Sequence, residues 1–257
     1  MEKKEISIKL ERWIEKMYHT VLKALTQKDK KFAKLWHEEQ KAKMNLLHIA
    51  YSLAKAFHRW QTRLDGTRYF EHIKSVTYIL ITEFPTITFN QVVAAYLHDI
   101  VEDTDISLAT IENIFWTDIA NIVDSVTKKP DTYYLRPDEQ IIYEWLTTEW
   151  KKEYLKNKKS SIKARRTEHY FGHMYDMDAE ILQVKFADRI HNLRDLKHCK
   201  ASKIKDQITE TQAYLLPVAK EKNPTAYKLM TAELEKLHKI IYGNTNKFKE
   251  YLHDLLG

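Results

Sequence analysis

A histidine and three acids interrupt an apolar run in the segment Leu97-His98-Asp99-Ile100-Val101-Glu102-Asp103-Thr104. Its neighbours Val92, Val93, Ala95, Tyr96, Leu97 and Ile100 are too densely apolar for a surface helix. His98 and Asp99 are therefore expected beside a core, where a charge needs a partner or a metal. At the helical repeat Glu102 lies one turn past His98 and Asp103 one turn past Asp99, giving two adjacent columns that can share one site. Asp188 is a further buried-looking acid on a dense apolar helix, and His72 stands one turn before Val76 on another. Two imidazoles and two carboxylates from three helices make a mixed nitrogen and oxygen donor set, suited to Mn²⁺, Fe²⁺ or Zn²⁺. Such an ion lowers the pKa of a bound water and draws charge from a phosphoryl oxygen, as phosphoester hydrolysis requires. Glu102 and Asp103 would then orient or deprotonate that water, or serve the leaving group.

Helices must position these residues. Of 257 residues only 4 are glycine and 5 proline, and the abundance of Lys, Glu, Leu and Ile favours long helices over strands. Apolar spacing predicts amphipathic helices over about 5 to 27 (Ile6, Leu10, Trp13, Ile14, Met17) and 31 to 60, a loop at Gln61 to Arg68, and a helix from Tyr69 to Thr82 ended by Pro85. Thr88 or Asn90 caps the helix bearing His98, Ser107 caps another, and a further one covers about 117 to 127. A basic stretch between 128 and 177 breaks the apolar density, with flexibility expected around Asn157 to Ser161. Regular helix resumes at Asp178, and Pro224 reads as a first-turn proline. The division expected is an N-terminal helical extension at 1–45, a core at 46–220 carrying a basic insert at about 128–177, and C-terminal helices at 221–257.

The single cysteine, Cys199, excludes an intrachain disulfide framework and fits a reducing compartment, with the cytoplasm as the default. No apolar run approaches the roughly 20 residues that cross a bilayer, and no signal-peptide core is seen. A net charge of +6 suits nucleic acid, an anionic small molecule or an acidic partner without choosing among them.

The stretch Val93 to Thr104 resembles the central motif of the RelA/SpoT hydrolase domain, a branch of the HD-domain phosphohydrolases. Further matches follow in order. Gln61, Arg63, Gly66, Tyr69 and His72 fit the opening motif, and Asp124-Ser125-Val126-Thr127-Lys128 adds another. Phe186 to Arg194 fit the second acidic motif, and Glu210-Thr211 through Pro217-Val218-Ala219 the closing one. The resemblance implies an all-α HD fold and a Mn²⁺-dependent removal of the 3′-pyrophosphate from the alarmones (p)ppGpp, as in the small alarmone hydrolases. It assigns His72, His98, Asp99 and Asp188 to the metal, and Glu102 and Asp103 to the water. Arg63 would stack on the base, Asn192 would contact the nucleoside, and Lys128 and Arg194 would meet phosphate. Arg68, Asp195 and the pair Tyr214-Leu215 depart from the family pattern and bear on the nucleoside pocket.

Two rival assignments remain at this level. One is a hydrolase of another nucleotide, such as an adenine alarmone or NADPH. Another is a nucleotide-sensing or nucleic-acid-binding module acting through the basic insert, which the complete metal and acid set disfavours. The run at 151 to 166 reads as a solvated helix face or disordered loop, with a phosphate-guiding lid as the sharper alternative. His191 is expected to support a ligand, His169 and His173 to be ordinary. Trp116, Trp145 and Trp150 are expected as core or interface anchors. The N-terminal helix, with Trp13 and Ile14, is expected to pack or to dimerise with a second copy. No membrane partner is expected.

Overall fold

The computed structural model describes residues 30–243, so the helix expected at 5 to 27, with Trp13 and Ile14, lies outside the described residues. Within them the chain is all helical, with one isolated bridge between Thr62 and Arg68 in the loop before the second helix and no strand. No described helix is long and apolar enough to cross a membrane.

The chain begins with α1 (Lys30–Phe57), α2 (Tyr69–Glu83) and α3 (Phe89–Leu97). Phe84 turns extended ahead of Pro85 and ends α2, as a residue before proline should. Thr88 opens α3 with a capping box, its hydroxyl accepting from the Gln91 amide while the Gln91 side chain accepts from the Thr88 amide. A bend at His98 and Asp99 leads into the single turn α4 (Ile100–Asp103). Asp99 sits at φ −103°, ψ −2°, the bridge region between helix and strand. The helical hydrogen bond from the Asp103 amide to the Asp99 carbonyl is kept at 2.9 Å. The two expected columns survive the bend.

Ser107 caps α5 (Leu108–Val126) by accepting from the Thr110 amide. The helix expected at 117 to 127 is the second half of this element, divided from the first by a kink at Trp116, whose φ is +70°. Then come α6 (Pro137–Trp145), α7 (Thr148–Gly172) and α8 (Ala179–Asp195). The expected flexibility at Asn157 to Ser161 is not found, because these residues lie inside the uninterrupted α7. Asn157, Lys159, Ser160 and Ser161 are exposed on its outer face, Lys158 turns to Glu139, and Ile162, Tyr170 and Phe171 turn inward. The chain closes with α9 (Ala201–Glu210), a π-turn at Thr211–Leu215, α10 (Leu216–Lys222) and α11 (Pro224–Tyr242). Pro224 does occupy the first turn of α11, and Asn223 caps it through the Ala226 amide.

The central element is α8, which packs against α2, α3, α5 and α11. Leu182, Val184, Phe186, Ala187, Ile190 and Leu193 are all buried, so the helix is apolar on nearly every face, as an enclosed helix must be. Any polar residue along it is therefore either clamped or part of a site. The tryptophans are not core anchors: Trp116, Trp145 and Trp150 are 57%, 86% and 64% exposed. Trp145 ends a short helix and Trp150 begins the next, and neither reaches the enclosed layer.

Candidate metal centre

The bend after α3, the start of α2 and the middle of α8 meet at one point. His72, His98 and Asp188 each bring a donor atom there, all within 4.8 Å of one another. Asp99 Oδ2 lies 3.0 Å from His98 Nε2 and 3.5 Å from His72 Nε2, and Asp188 Oδ1 lies 3.4 Å from His72 Nε2 and 3.9 Å from His98 Nε2. The structure thus brings together all four residues expected to hold a metal.

Each donor is aimed by a partner. His98 Nδ1 stands 2.8 Å from the Ala95 carbonyl one turn back, so Nδ1 donates there and Nε2 is the atom turned toward the carboxylates. That Nε2 is buried and has no hydrogen-bond partner. His72 Nδ1 lies 2.9 Å from His191 Nδ1, while Tyr69 donates its hydroxyl to Asp99 Oδ2 at 2.6 Å and Asn192 donates to Asp188 Oδ1 at 2.6 Å. These are the outer contacts that fix ligand orientation in metal sites.

The electrostatics fit a cation. Burial opposes charge on His98, yet the Asp99 and Asp188 carboxylates hold its ring up to about 9. Burial likewise opposes ionisation of Asp99 and Asp188, and the facing imidazoles hold both well below the usual carboxylate range. His191 moves the other way: burial and the neighbouring His72 push it down to about 3, so it meets His72 as a neutral ring. A buried Nε2 with no hydrogen-bond partner beside two carboxylates, with nitrogen and oxygen donors converging, fits a divalent ion that would replace the imidazole proton.

Glu102 and Asp103 sit at the open side. Glu102 accepts from both the amide and Nζ of Lys128, each at 3.1 Å. The surrounding protein and the charge of Asp99 raise the Asp103 carboxyl. The Asp103 carbonyl accepts from Gln61, whose amide oxygen meets His58 Nδ1 at 2.6 Å. His58 stacks on Tyr69 at 5.2 Å between ring centroids, so the loop after α1 is fastened to the acids through Gln61 and Tyr69.

Of the residues expected to bind substrate, three reach this region. Arg63 donates to Asn192 at 3.0 Å and pairs with Asp195 at 3.1 Å, and Lys128 is tied to Glu102. Arg194 does not reach it. Its guanidinium grips both oxygens of Glu83 at 2.6 and 2.8 Å and meets Glu233 at 3.0 Å, so it fastens α8 to α2 and α11. Arg189 has a similar structural task, donating to Gln207, Glu210 and Thr211, which explains why the second acidic motif and the closing one occur together. Lys185, His58 and the role of Tyr69 were missed by sequence reasoning. Lys185 and Tyr69 each stand three residues ahead of a candidate ligand, Asp188 and His72 respectively, and that spacing was the available signal.

A family model described as HD domain matches residues 50–222. A putative chloroplastic GTP diphosphokinase RSH1 of Oryza sativa subsp. japonica is 31% identical over 212 residues, covering 82% of this chain and 21% of that protein. A probable guanosine-3′,5′-bis(diphosphate) 3′-pyrophosphohydrolase of Mycoplasma genitalium is 27% identical over 244 residues, 88% of this chain and 31% of that one. The guanosine-3′,5′-bis(diphosphate) 3′-pyrophosphohydrolase MESH1 of Danio rerio is 31% identical over 144 residues, 55% of this chain and 64% of its own. The matches therefore span between 21% and 64% of these relatives' lengths.

Proposed function

The chain belongs to the HD domain family, and from that premise we propose that it is a metal-dependent phosphohydrolase removing the 3′-pyrophosphate of (p)ppGpp. GDP or GTP and pyrophosphate would be the products, and residues 46–220 the unit that carries the reaction. The observation that carries the reading is the convergence of His72, His98 and Asp188 beside Asp99, with Glu102 and Asp103 one turn on. Two of the relatives above bear the name of this activity.

His72, His98, Asp99 and Asp188 would hold the ion, with Mn²⁺ the metal we favour for this mixed donor set. When bound, the ion supplies Lewis acidity toward a phosphoryl oxygen and water at neutral pH. The chain's own residues do the rest. Asp103, whose carboxyl is raised by its surroundings and by Asp99, takes the proton from the attacking water as its oxygen bonds to phosphorus. The bond from that phosphorus to the 3′ oxygen breaks, and the 3′ oxygen takes up the proton that Asp103 accepted as pyrophosphate leaves. Glu102, held by Lys128, keeps the water on the attacking side. Asn192 and Arg63, hydrogen-bonded to each other, form the wall facing the nucleoside.

The test is incubation of the purified protein with Mn²⁺ and ppGpp, followed by separation of GDP and pyrophosphate. Release no faster than from His98→Ala would remove the reading. A second reading, in which another nucleotide is preferred, is favoured by Asp195, which departs from the family pattern and holds the Arg63 guanidinium at 3.1 Å. Rates across guanine and adenine alarmones and NADPH separate the two, and a strong preference for ppGpp ends the second.

A further inference from the structure

Lys185 is a buried charge whose ion pair with Asp188 uses none of its donors. Its side chain is 7% exposed, and its Nζ stands 3.7 Å from Asp188 Oδ2, beyond hydrogen-bond reach. An ammonium has three donors, and among the described residues none of them makes a hydrogen bond. Instead the head group lies 4.5 Å from the centroid of the Tyr170 ring, a cation–π contact that holds it in place without using a donor.

The surroundings say which way those donors are useful. The charges bearing on Lys185 are Asp188, Lys128, Arg189 and Glu102. Arg189 is taken up by Gln207, Glu210 and Thr211, whereas Glu102 and Lys128 are hydrogen-bonded to each other close enough to act on Lys185. Tyr170 also donates its hydroxyl to the Val126 carbonyl at 3.1 Å, two residues ahead of Lys128. One aromatic side chain of α7 therefore braces both Lys185 and the segment that presents Lys128. The carboxylates of Glu102, Asp188 and Asp99 act on Lys128, and Asp103 stands beside Asp99 and Glu102. A polyanionic substrate entering that field needs positive charge at the point where its phosphoryl oxygens stop.

We infer that Lys185 is a substrate-contacting residue, donating from beside Asp188 to a phosphoryl oxygen of the pyrophosphate that is removed. The inference rests on the phosphohydrolase reading. The competing role is that of a counter-charge steadying Asp188 alone, and the two differ in what happens to the metal.

The experiment compares wild type with Lys185→Met, which keeps the stem against Tyr170, and Lys185→Arg, which restores a charge. Steady-state ppGpp hydrolysis with Mn²⁺, calorimetric Mn²⁺ binding without nucleotide, and thermal melting are measured on each. Lys185→Met is expected to lose about a hundredfold in kcat/KM while binding Mn²⁺ as tightly as wild type or tighter, with Lys185→Arg recovering part of the loss. A kcat/KM within about threefold of wild type, or a Mn²⁺ affinity that falls in step with activity, would overturn the assignment. If Lys185→Met does not fold, Lys185→Gln carries the same comparison. Should wild type release no pyrophosphate, the hydrolase reading fails by itself, and Lys185 is judged with inorganic sulfate as the phosphoryl mimic. Sulfate should then raise the melting temperature of Mn²⁺-loaded wild type and leave Lys185→Met unmoved, and equal shifts reject the contact.

Discussion

Two of the places where this molecule buries charge resolve it in opposite ways. In the segment running from Asp131 through α7, Glu139 is 3% exposed, yet its carboxylate is fully occupied. It accepts from the Arg136 amide at 2.9 Å and Arg165 at 2.8 Å, and pairs with Lys158 at 3.0 Å. At the metal centre the acids stand together, and His98 Nε2 faces them with no hydrogen bond. Burial alone does not mark a site. A satisfied buried carboxylate is a fastening, and acids gathered around a buried imidazole nitrogen with no hydrogen bond are a place for something else.

The widest gap between the two regions should appear when a ligand at the pocket is removed. His98→Ala is expected to lose stoichiometric Mn²⁺ binding in calorimetry and to lower ppGpp turnover about a thousandfold or more, several kcal/mol of transition-state stabilisation. Asp103→Asn should keep the metal and still lose roughly 10²–10⁴-fold in kcat. Parallel loss of Mn²⁺ from Asp103→Asn would contradict the division between metal and water.

Much of the pocket was legible because charge in an apolar run needs a reason. His98, Asp99, His72 and Asp188 each interrupt a dense apolar segment, and the distances now found between them follow from that enclosure. Asn192 was legible too, at four residues past Asp188 on the same face. Arg194 was misplaced although its spacing was available: six residues past Asp188 is about 240° around a helix, which turns it to Glu83 and Glu233. The partners of Glu139 were not legible, since Lys158 and Arg165 reach it from another helix and the run reads as exposed. Nor was the exposure of Trp145 and Trp150, because an aromatic residue in an amphipathic helix carries no mark of whether a neighbour will cover it. The left-handed φ of Trp116 has no signal in the sequence.

His191 tests how far the pocket's organisation extends beyond its ligands. Its neutral ring meets His72 Nδ1 at 2.9 Å, so His191→Ala should weaken Mn²⁺ binding by about 10–100-fold. Melting of the metal-free protein should change much less. Unchanged Mn²⁺ affinity would reduce His191 to a packing residue.

The smallest effect on the site should come from Glu139, where the comparison began. Its lowered pKa, about 2 against an ordinary 4.5, comes first from the Arg136 amide, and Lys158 and Arg165 outweigh the opposing effect of burial. A carboxylate with a depressed folded-state pKa adds stability that is fully present above pH 4.5 and is lost as pH falls from there toward 2. Glu139→Gln should therefore cost about 1–3 kcal/mol at neutral pH, read by denaturant unfolding, and the difference from wild type should shrink across that acid window. Mn²⁺ affinity should stay at the wild-type value. A fall in metal binding in Glu139→Gln would show that the fastening and the pocket are coupled, and the contrast between satisfied and unsatisfied charge would then describe one network rather than two regions.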